Sequence, residues 1–313
     1  MRQRKSDVAS PERKLWVVES SGGPRSGEGT ITEHLGRVYP LARIDETGAD
    51  YRAVTLALIE DGTLDPAMSD EIVAQTVAQL KAEHITDLAA RRYEIVAALG
   101  KEALYSPVVN VVVGKVSQVP SIRQPIKNGF ARRVEARVLD DTALLVVDGR
   151  NLGPIIQKIA GAKSLLRLFI DCSIEAAVYR EAKRASIDLS DPAAQAWYDE
   201  TYRSIEDRRE TDKKRAIDPA VRDPDHINYW YKNESVRLTN QLLALRYGLT
   251  EAAVSKRKIE GNIHKKGGRQ GVGALAYLSG RQVYFDTTEV GLTDMLGFAK
   301  DMVDEALDAA SAA

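Results

Sequence analysis

Apolar residues fall in short blocks along the chain, separated by charged and small residues. Leu15-Trp16-Val17-Val18 opens the pattern and predicts a buried strand over residues 15–20. Leu144-Leu145-Val146-Val147, ending on Asp148, and the run from Leu165 to Ile170 read the same way, and Val283-Tyr284-Phe285 gives a last strand. Between these blocks the apolar spacing widens to three and four residues. It predicts a helix opening over residues 29–37, helices over Tyr51–Glu60, Ala67–Ala82 and Ile174–Lys183, and a closing helix to about residue 309. The valine-rich stretch 107–117 fits either a strand or a helix. Short buried strands alternating with amphipathic helices predict a three-layer α/β fold, a parallel sheet covered on both faces. Ligands of such sheets bind beyond the carboxyl ends of the strands.

Composition narrows the function classes. A chain of 313 residues has room for one large or two small domains. The net charge of −1 gives the whole chain no pull toward nucleic acid or membrane. No apolar run approaches the roughly 18 residues that span a bilayer. The N-terminus carries charges without a following apolar stretch, so no secretory signal is read. A single cysteine, Cys172, excludes an internal disulfide and fits a reducing, cytoplasmic location; its apolar surroundings predict a buried thiol. Four scattered histidines with one cysteine give no metal-ligand spacing. Residues 1–14, with Arg2, Arg4, Lys5, Arg13 and Lys14, read as a disordered basic arm, either a solubilising tail or a nucleic-acid contact.

The candidate chemistry begins where the first strand ends. Residues 22–30 read Gly-Gly-Pro-Arg-Ser-Gly-Glu-Gly-Thr. A phosphate-binding loop needs Gly-x-x-x-x-Gly-Lys-Ser/Thr between a strand and a helix. Its glycines let backbone N–H groups curl around phosphate oxygens, and the following helix points its positive end at the same anion. Gly22, Gly27 and Thr30 keep this frame, Arg25 and Ser26 lie inside it, and Gly29 is an extra glycine. Glu28 stands where the lysine should be. Asp148, at the end of an apolar strand, has the place of a carboxylate that holds a Mg²⁺ shell near phosphates.

Four further segments follow in order: Asp45-Glu46-Thr47-Gly48-Ala49-Asp50-Tyr51-Arg52-Ala53; Ser117-Gln118-Val119 with Arg123; Asp148-Gly149-Arg150-Asn151-Leu152-Gly153; and Arg208-x-x-x-Asp212-x-x-Arg215 with Ala216 and Pro219. Phe285-Asp286-Thr287-Thr288 closes the series. With the loop, this order resembles bacterial cytidylate kinases. That family runs Gly-x-x-x-x-Gly-Lys-Gly-Thr, Asp-Thr-Gly-Ala-(Met/Leu)-Tyr-Arg-Ala, Asp-Gly-Arg-Asp-Ile-Gly, Arg-Asp-x-x-Asp-x-x-Arg-Ala-x-x-Pro-Leu, then a strand ending Asp-Thr/Ser. The resemblance covers residues 15–219 and 280–309 and implies a P-loop nucleoside-monophosphate-kinase fold with helical acceptor-binding and lid segments.

The resemblance also implies roles. The loop would bind ATP, and Thr30 with Asp148 would hold Mg²⁺. Thr47, Arg52 and Arg150 would handle the acceptor phosphate. Arg208 and Asp212 would hold sugar hydroxyls, and Arg215 would bridge the two phosphates. Ser117, Arg123 and Asn151 would read the pyrimidine. Arg180, Lys183 and Arg184 are candidate lid cations. Read singly, each arginine would equally suit a surface salt bridge.

The chain departs from the family pattern at four positions in these segments. Glu28 replaces a cation with an anion, which should repel ATP by on the order of 1 kcal/mol or more; Arg25 is a candidate substitute. Asp50 stands where the family has an apolar residue, and Glu46 replaces an Asp. Asn151 replaces the last Asp of Asp-Gly-Arg-Asp. A carboxylate only accepts hydrogen bonds, whereas an Asn amide also donates and so tolerates the O4 of uracil or thymine. Neutral drift explains the same change.

Residues 220–279 have no place in the family pattern and read as a helical basic insertion. Ala244, Gly248 and Val254 have helix-turn-helix spacing, and Lys256, Arg257, Lys258, Lys265, Lys266 and Arg269 follow. The segment is either an ordinary helical insertion or a DNA contact. Tyr229, Trp230 and Tyr231 are a core anchor or a base-stacking platform. Three functions stay open: transfer of the ATP γ-phosphoryl to a pyrimidine nucleotide, a DNA-modifying kinase of a pyrimidine such as 5-hydroxymethyluracil, or an inactive nucleotide-binding homologue.

Overall fold

The structure, a computed structural model, describes residues 14–138, 140, 142–214, 223–229, 271–288 and 290–313. The expected basic arm (except Lys14), Arg215, Trp230, Tyr231 and the basic cluster from Lys256 to Arg269 lie outside the described residues.

Among the described residues, six strands form one parallel sheet, β1 (Leu15–Gly22), β2 (Ala42–Glu46), β3 (Leu144–Asp148), β4 (Ala162–Asp171), β5 (Ile227–Tyr229) and β6 (Val283–Asp286). Their spatial order is β2-β3-β1-β4-β6-β5, and every neighbouring pair runs parallel. The apolar blocks become the inner strands because a strand covered on both faces has no side turned to water. Val17, Leu145 and Val147 face Phe130, Val134 and Ile156 on one side. Val18, Val146, Leu168 and Phe285 face Ile31, Leu35, Leu275, Met302 and Val303 on the other. These two apolar layers, one above and one below the sheet, make the three-layer architecture.

Helix α1 (Glu28–Val38) follows β1 directly. Between β2 and β3 lies a helical block of α2 (Thr47–Glu60), α3 (Asp70–Gln79), α4 (Ala82–Ala90), α5 (Arg92–Leu99), α6 (Pro107–Val116) and α7 (Pro120–Val138). The block has its own core, including Leu58, Val77, Ile85, Val112 and Ile122. The valine-rich stretch resolves as α6, because Ser106 caps it and Pro107 sits in its first turn, where no N–H is needed. The helix expected over Ala67–Ala82 is shorter, Asp70–Gln79, since the Ser69 hydroxyl caps its start by accepting from the Ile72 amide. Short α8 (Gly153–Ile156) follows β3, α9 (Ile174–Ala185) and α10 (Gln195–Lys214) follow β4, and α11 (Val272–Ser279) precedes β6. The closing helix is α12 (Leu292–Ser311), ending close to where the spacing places it. Both β5 and α11 fall within residues 220–279, yet β5 pairs with β6 and α11 packs on α12 and β4. Among the described residues no helix is long and apolar enough to cross a membrane.

The helical block is tied to the sheet by four buried charges. Arg133 of α7 lies 3.1 and 3.0 Å from the two Asp45 oxygens and 2.7 Å from Asp50. Arg92 of α5 reaches the same two aspartates at 3.0 and 2.9 Å. All four side chains are at most 6% exposed. Burial pushes the Asp50 carboxyl up, and Arg133 and Arg92 pull against it. This explains the departure at Asp50: the family's apolar residue is replaced by a carboxylate matched to two arginines. Removing one member of such a cluster strands the remaining charges. Asp50→Leu is therefore expected to lower unfolding stability by about 3–5 kcal/mol in a denaturant titration. An unchanged midpoint would show that the cluster contributes nothing.

Candidate functional site

The loop from Gly22 to Thr30 joins β1 to α1 as the frame requires. Gly27 has φ +105°, a left-handed conformation that costs glycine little. A Cβ on Gly22 would lie 2.0 Å from the Ile170 carbonyl oxygen, so the chain passes there only without a side chain. No side chain caps α1 at Gly27, which leaves its first-turn amides available to an anion. The Ser26 carbonyl is held by Arg180 Nη1 at 2.8 Å, with the Thr287 hydroxyl at 3.0 Å. Arg180, expected as a lid cation, thus fastens the loop to the segment after β6. Arg25, the candidate substitute for the missing lysine, pairs with Glu181 of α9 at 3.1 Å. Arg184 pairs with Glu181 as well.

The Glu28 carboxyl turns back into the loop, 3.3 Å from the Ser26 hydroxyl. The strand register explains its electrostatics. Ser20 of β1 and Glu46 of β2 both stand opposite Asp148 of β3, so Asp148 and Glu46 meet at one edge beside the loop. Burial and the negative charge of Asp148 push Glu28 up to about 8, with Arg150, Ser26 and Arg208 pulling it down. Burial and Glu46 push Asp148 up to about 6, against Arg150. At neutral pH Glu28 is therefore mostly protonated, which removes most of the repulsion that its identity suggests.

Arg150 answers this acidity. Its Nη2 donates to Asp212 Oδ2 at 2.6 Å, and Asp212 is buried on the last turn of α10. Two residues expected in one site, 62 positions apart, are thereby brought together. Arg208 lies one turn earlier on α10 and is exposed. Thr47 Oγ1 donates to the Asp148 carbonyl at 3.1 Å. Thr30 is exposed on the first turn of α1.

The remaining expected residues sit on the helical block or in the loop after β3. Arg52 donates to Asn110 Oδ1 at 2.5 Å and to the Leu104 carbonyl at 3.2 Å, with Tyr105 stacked at 4.7 Å. Arg123 is buried and donates to the Ser117 carbonyl at 2.7 Å, so this pair does assemble. Asn151 is exposed with φ +53°, a left-handed turn that Asn and Asp tolerate better than most residues.

Two residues of this region were not found by motif. Asn110 positions Arg52, and nothing in its valine-rich surroundings marks it. Glu19 accepts the Leu152 and Gly153 amides, directly after the Arg150 turn. A lone carboxylate inside an apolar strand is the sign that could have revealed it, because a buried charge requires partners.

Residues 21–235 match the family model described as cytidylate kinase. The cytidylate kinase of Thermotoga sp. (strain RQ2) is 26% identical over 202 residues, covering 64% of this chain and 83% of that protein. That of Limosilactobacillus reuteri (strain DSM 20016) is 27% identical over 213 residues, 67% of this chain and 85% of that protein. That of Vibrio vulnificus (strain YJ016) is 27% identical over 207 residues, 65% and 82%.

The raised Glu28 carboxyl makes stability depend on pH. Its folded value of about 8 exceeds the ordinary 4.5, so its contribution is complete below 4.5 and is lost as pH rises through about 8. Glu28→Gln cannot titrate. The Tm of the parent relative to this variant should fall across that window and level off above it. A difference that stays flat with pH would show that the carboxyl is ionised in the folded loop throughout.

Proposed function

The chain belongs to the cytidylate kinase family, and from that we propose that it moves the γ-phosphoryl group of ATP to a pyrimidine nucleotide. The observation that carries the proposal is the Arg150–Asp212 pair set beside the phosphate-loop frame by the parallel register of β1 and β3. Phosphoryl transfer asks for alignment and positive charge around the moving group, with little covalent help from the protein.

The uncapped first turn of α1 and the left-handed Gly27 fit the β- and γ-phosphates of ATP. Glu28, neutral at its raised value, would tolerate them and could donate one hydrogen bond. Mg²⁺, when bound, would neutralise triphosphate charge, and Thr30 and Asp148 are the residues that would hold it. Among the described residues no cluster of three His, Cys, Asp or Glu could hold a metal unaided. Mg²⁺ ordinarily keeps several waters and phosphate oxygens in its shell. Arg150 would meet the charge that develops between donor and acceptor, with Asp212 fixing its direction. Thr47 and Arg52 would hold the acceptor phosphate, Arg208 and Asp212 the sugar hydroxyls, and Ser117, Arg123 and Asn151 the base. Arg215 would join the phosphates.

Labelled ATP offered with CMP, dCMP, UMP, dUMP and 5-hydroxymethyluracil DNA in parallel tests this reading. Label is expected on a free pyrimidine nucleotide. Label on DNA alone would make the chain a DNA-base kinase, and label nowhere would make it a binding homologue. In the same assay Arg150→Ala should lose about 10²-fold or more in kcat with little change in KM, as a group that acts on the transition state does. A pure KM effect would reduce Arg150 to a ground-state contact. Glu28→Lys should raise turnover by restoring the missing charge; a fall would mean that the loop is built around the carboxyl.

A further inference from the structure

Glu19 sits in the central strand β1 and is 3% exposed. Its Oε1 accepts the Leu152 amide at 2.9 Å and its Oε2 the Gly153 amide at 3.1 Å. These amides open α8, directly after the turn Asp148-Gly149-Arg150-Asn151. On its other side Glu19 Oε2 faces Arg167 Nε at 3.5 Å, and Arg167 Nη1 reaches Asp223 at 2.9 Å. Arg150, two residues before Leu152, is bound to Asp212. One loop therefore connects to two points on the following chain: to Asp212 through Arg150, and to Asp223 through Glu19 and Arg167.

We propose that Glu19 is a positioning residue for phosphoryl transfer, one that sets the direction of Arg150 by holding the amides just beyond its turn. Only a carboxylate suits the place. It accepts with both oxygens, whereas an amide would turn a donor toward one of the two N–H groups. Burial pushes the Glu19 carboxyl up, and the Leu152 amide, Arg167 and the Gly153 amide pull against it. A charge kept in a sheet centre at that cost is directed at something specific, and the groups it meets are the backbone of this loop and Arg167. The inference rests on the kinase reading for its kinetic consequence, not for its geometry.

The test is a double-mutant cycle on the full chain, with ATP and an accepted pyrimidine nucleotide. Glu19→Gln should lower kcat about tenfold or more, the usual scale for one mismatched buried hydrogen bond, and leave KM for ATP within about twofold. In an Arg150→Ala background the same change should have almost no further effect, because its target is already gone. Additive losses, or parental kcat in Glu19→Gln, would overturn the proposal. If Glu19→Gln fails to fold, Glu19→Asp takes its place, keeping the charge beside Arg167 but withdrawing it from the amides. If the parent labels no acceptor, the kinase reading fails separately, and amide exchange then judges Glu19. Faster exchange at Leu152 and Gly153 in Glu19→Asp, with the loop amides from Gly27 to Thr30 unchanged, upholds the positioning role; unchanged exchange at both residues overturns it.

Discussion

Glu46 and Asp148 stand side by side at the carboxyl edge of the parallel ladder, and the neighbouring register brings the Gly22–Thr30 loop to the same edge. The negative charge gathered there shapes the rest of the site. Burial and Glu46 raise Asp148, and burial and Asp148 raise Glu28, so the carboxyl in the lysine position is pushed toward its neutral form. Arg150 and Arg208 act in the opposite direction. A family loop with lysine carries its positive charge on the loop itself. Here the arginines beside the loop lie on β3's following turn and on α10, and Glu28 in its protonated form adds no repulsion of its own.

The same economy of charge appears away from the loop. Asp45 and Asp50 could not be buried at the start of the helical block without Arg92 and Arg133, and these arginines are buried only because the aspartates are there. The cluster fixes α2, α5 and α7 to the end of β2. The block carries Arg52 and the Ser117–Arg123 pair, so its attachment fixes where these groups stand relative to the sheet.

The inner strands were legible because burial on both faces leaves continuous apolar runs, and the loop was legible because its glycines are required by backbone geometry. Edge strand β2, Ala-Arg-Ile-Asp-Glu, was missed because three of its five residues are charged. Asp45 is nevertheless buried, through arginines 47 and 88 positions away. Strand β5, only three residues long, carries no periodicity to detect. The order of motifs revealed the residues of the site but not their engagements. Nothing local pairs Arg150 with Asp212, turns Arg180 onto the Ser26 carbonyl or couples Arg25 to Glu181, since each depends on where a distant helix packs. Glu28 read by identity alone is repulsive; only its surroundings show that burial and Asp148 push the carboxyl up.

The central claim is that this loop binds a nucleoside triphosphate without a lysine. Calorimetric titration of the parent with Mg-ATP near pH 7, beside Gly27→Val as a loop-blocked control, tests it most directly. The account predicts saturable binding to the parent that is lost in the control, where a β-branched residue cannot take the left-handed conformation. Absence of binding to the parent at millimolar Mg-ATP, or equal binding to both proteins, would contradict it.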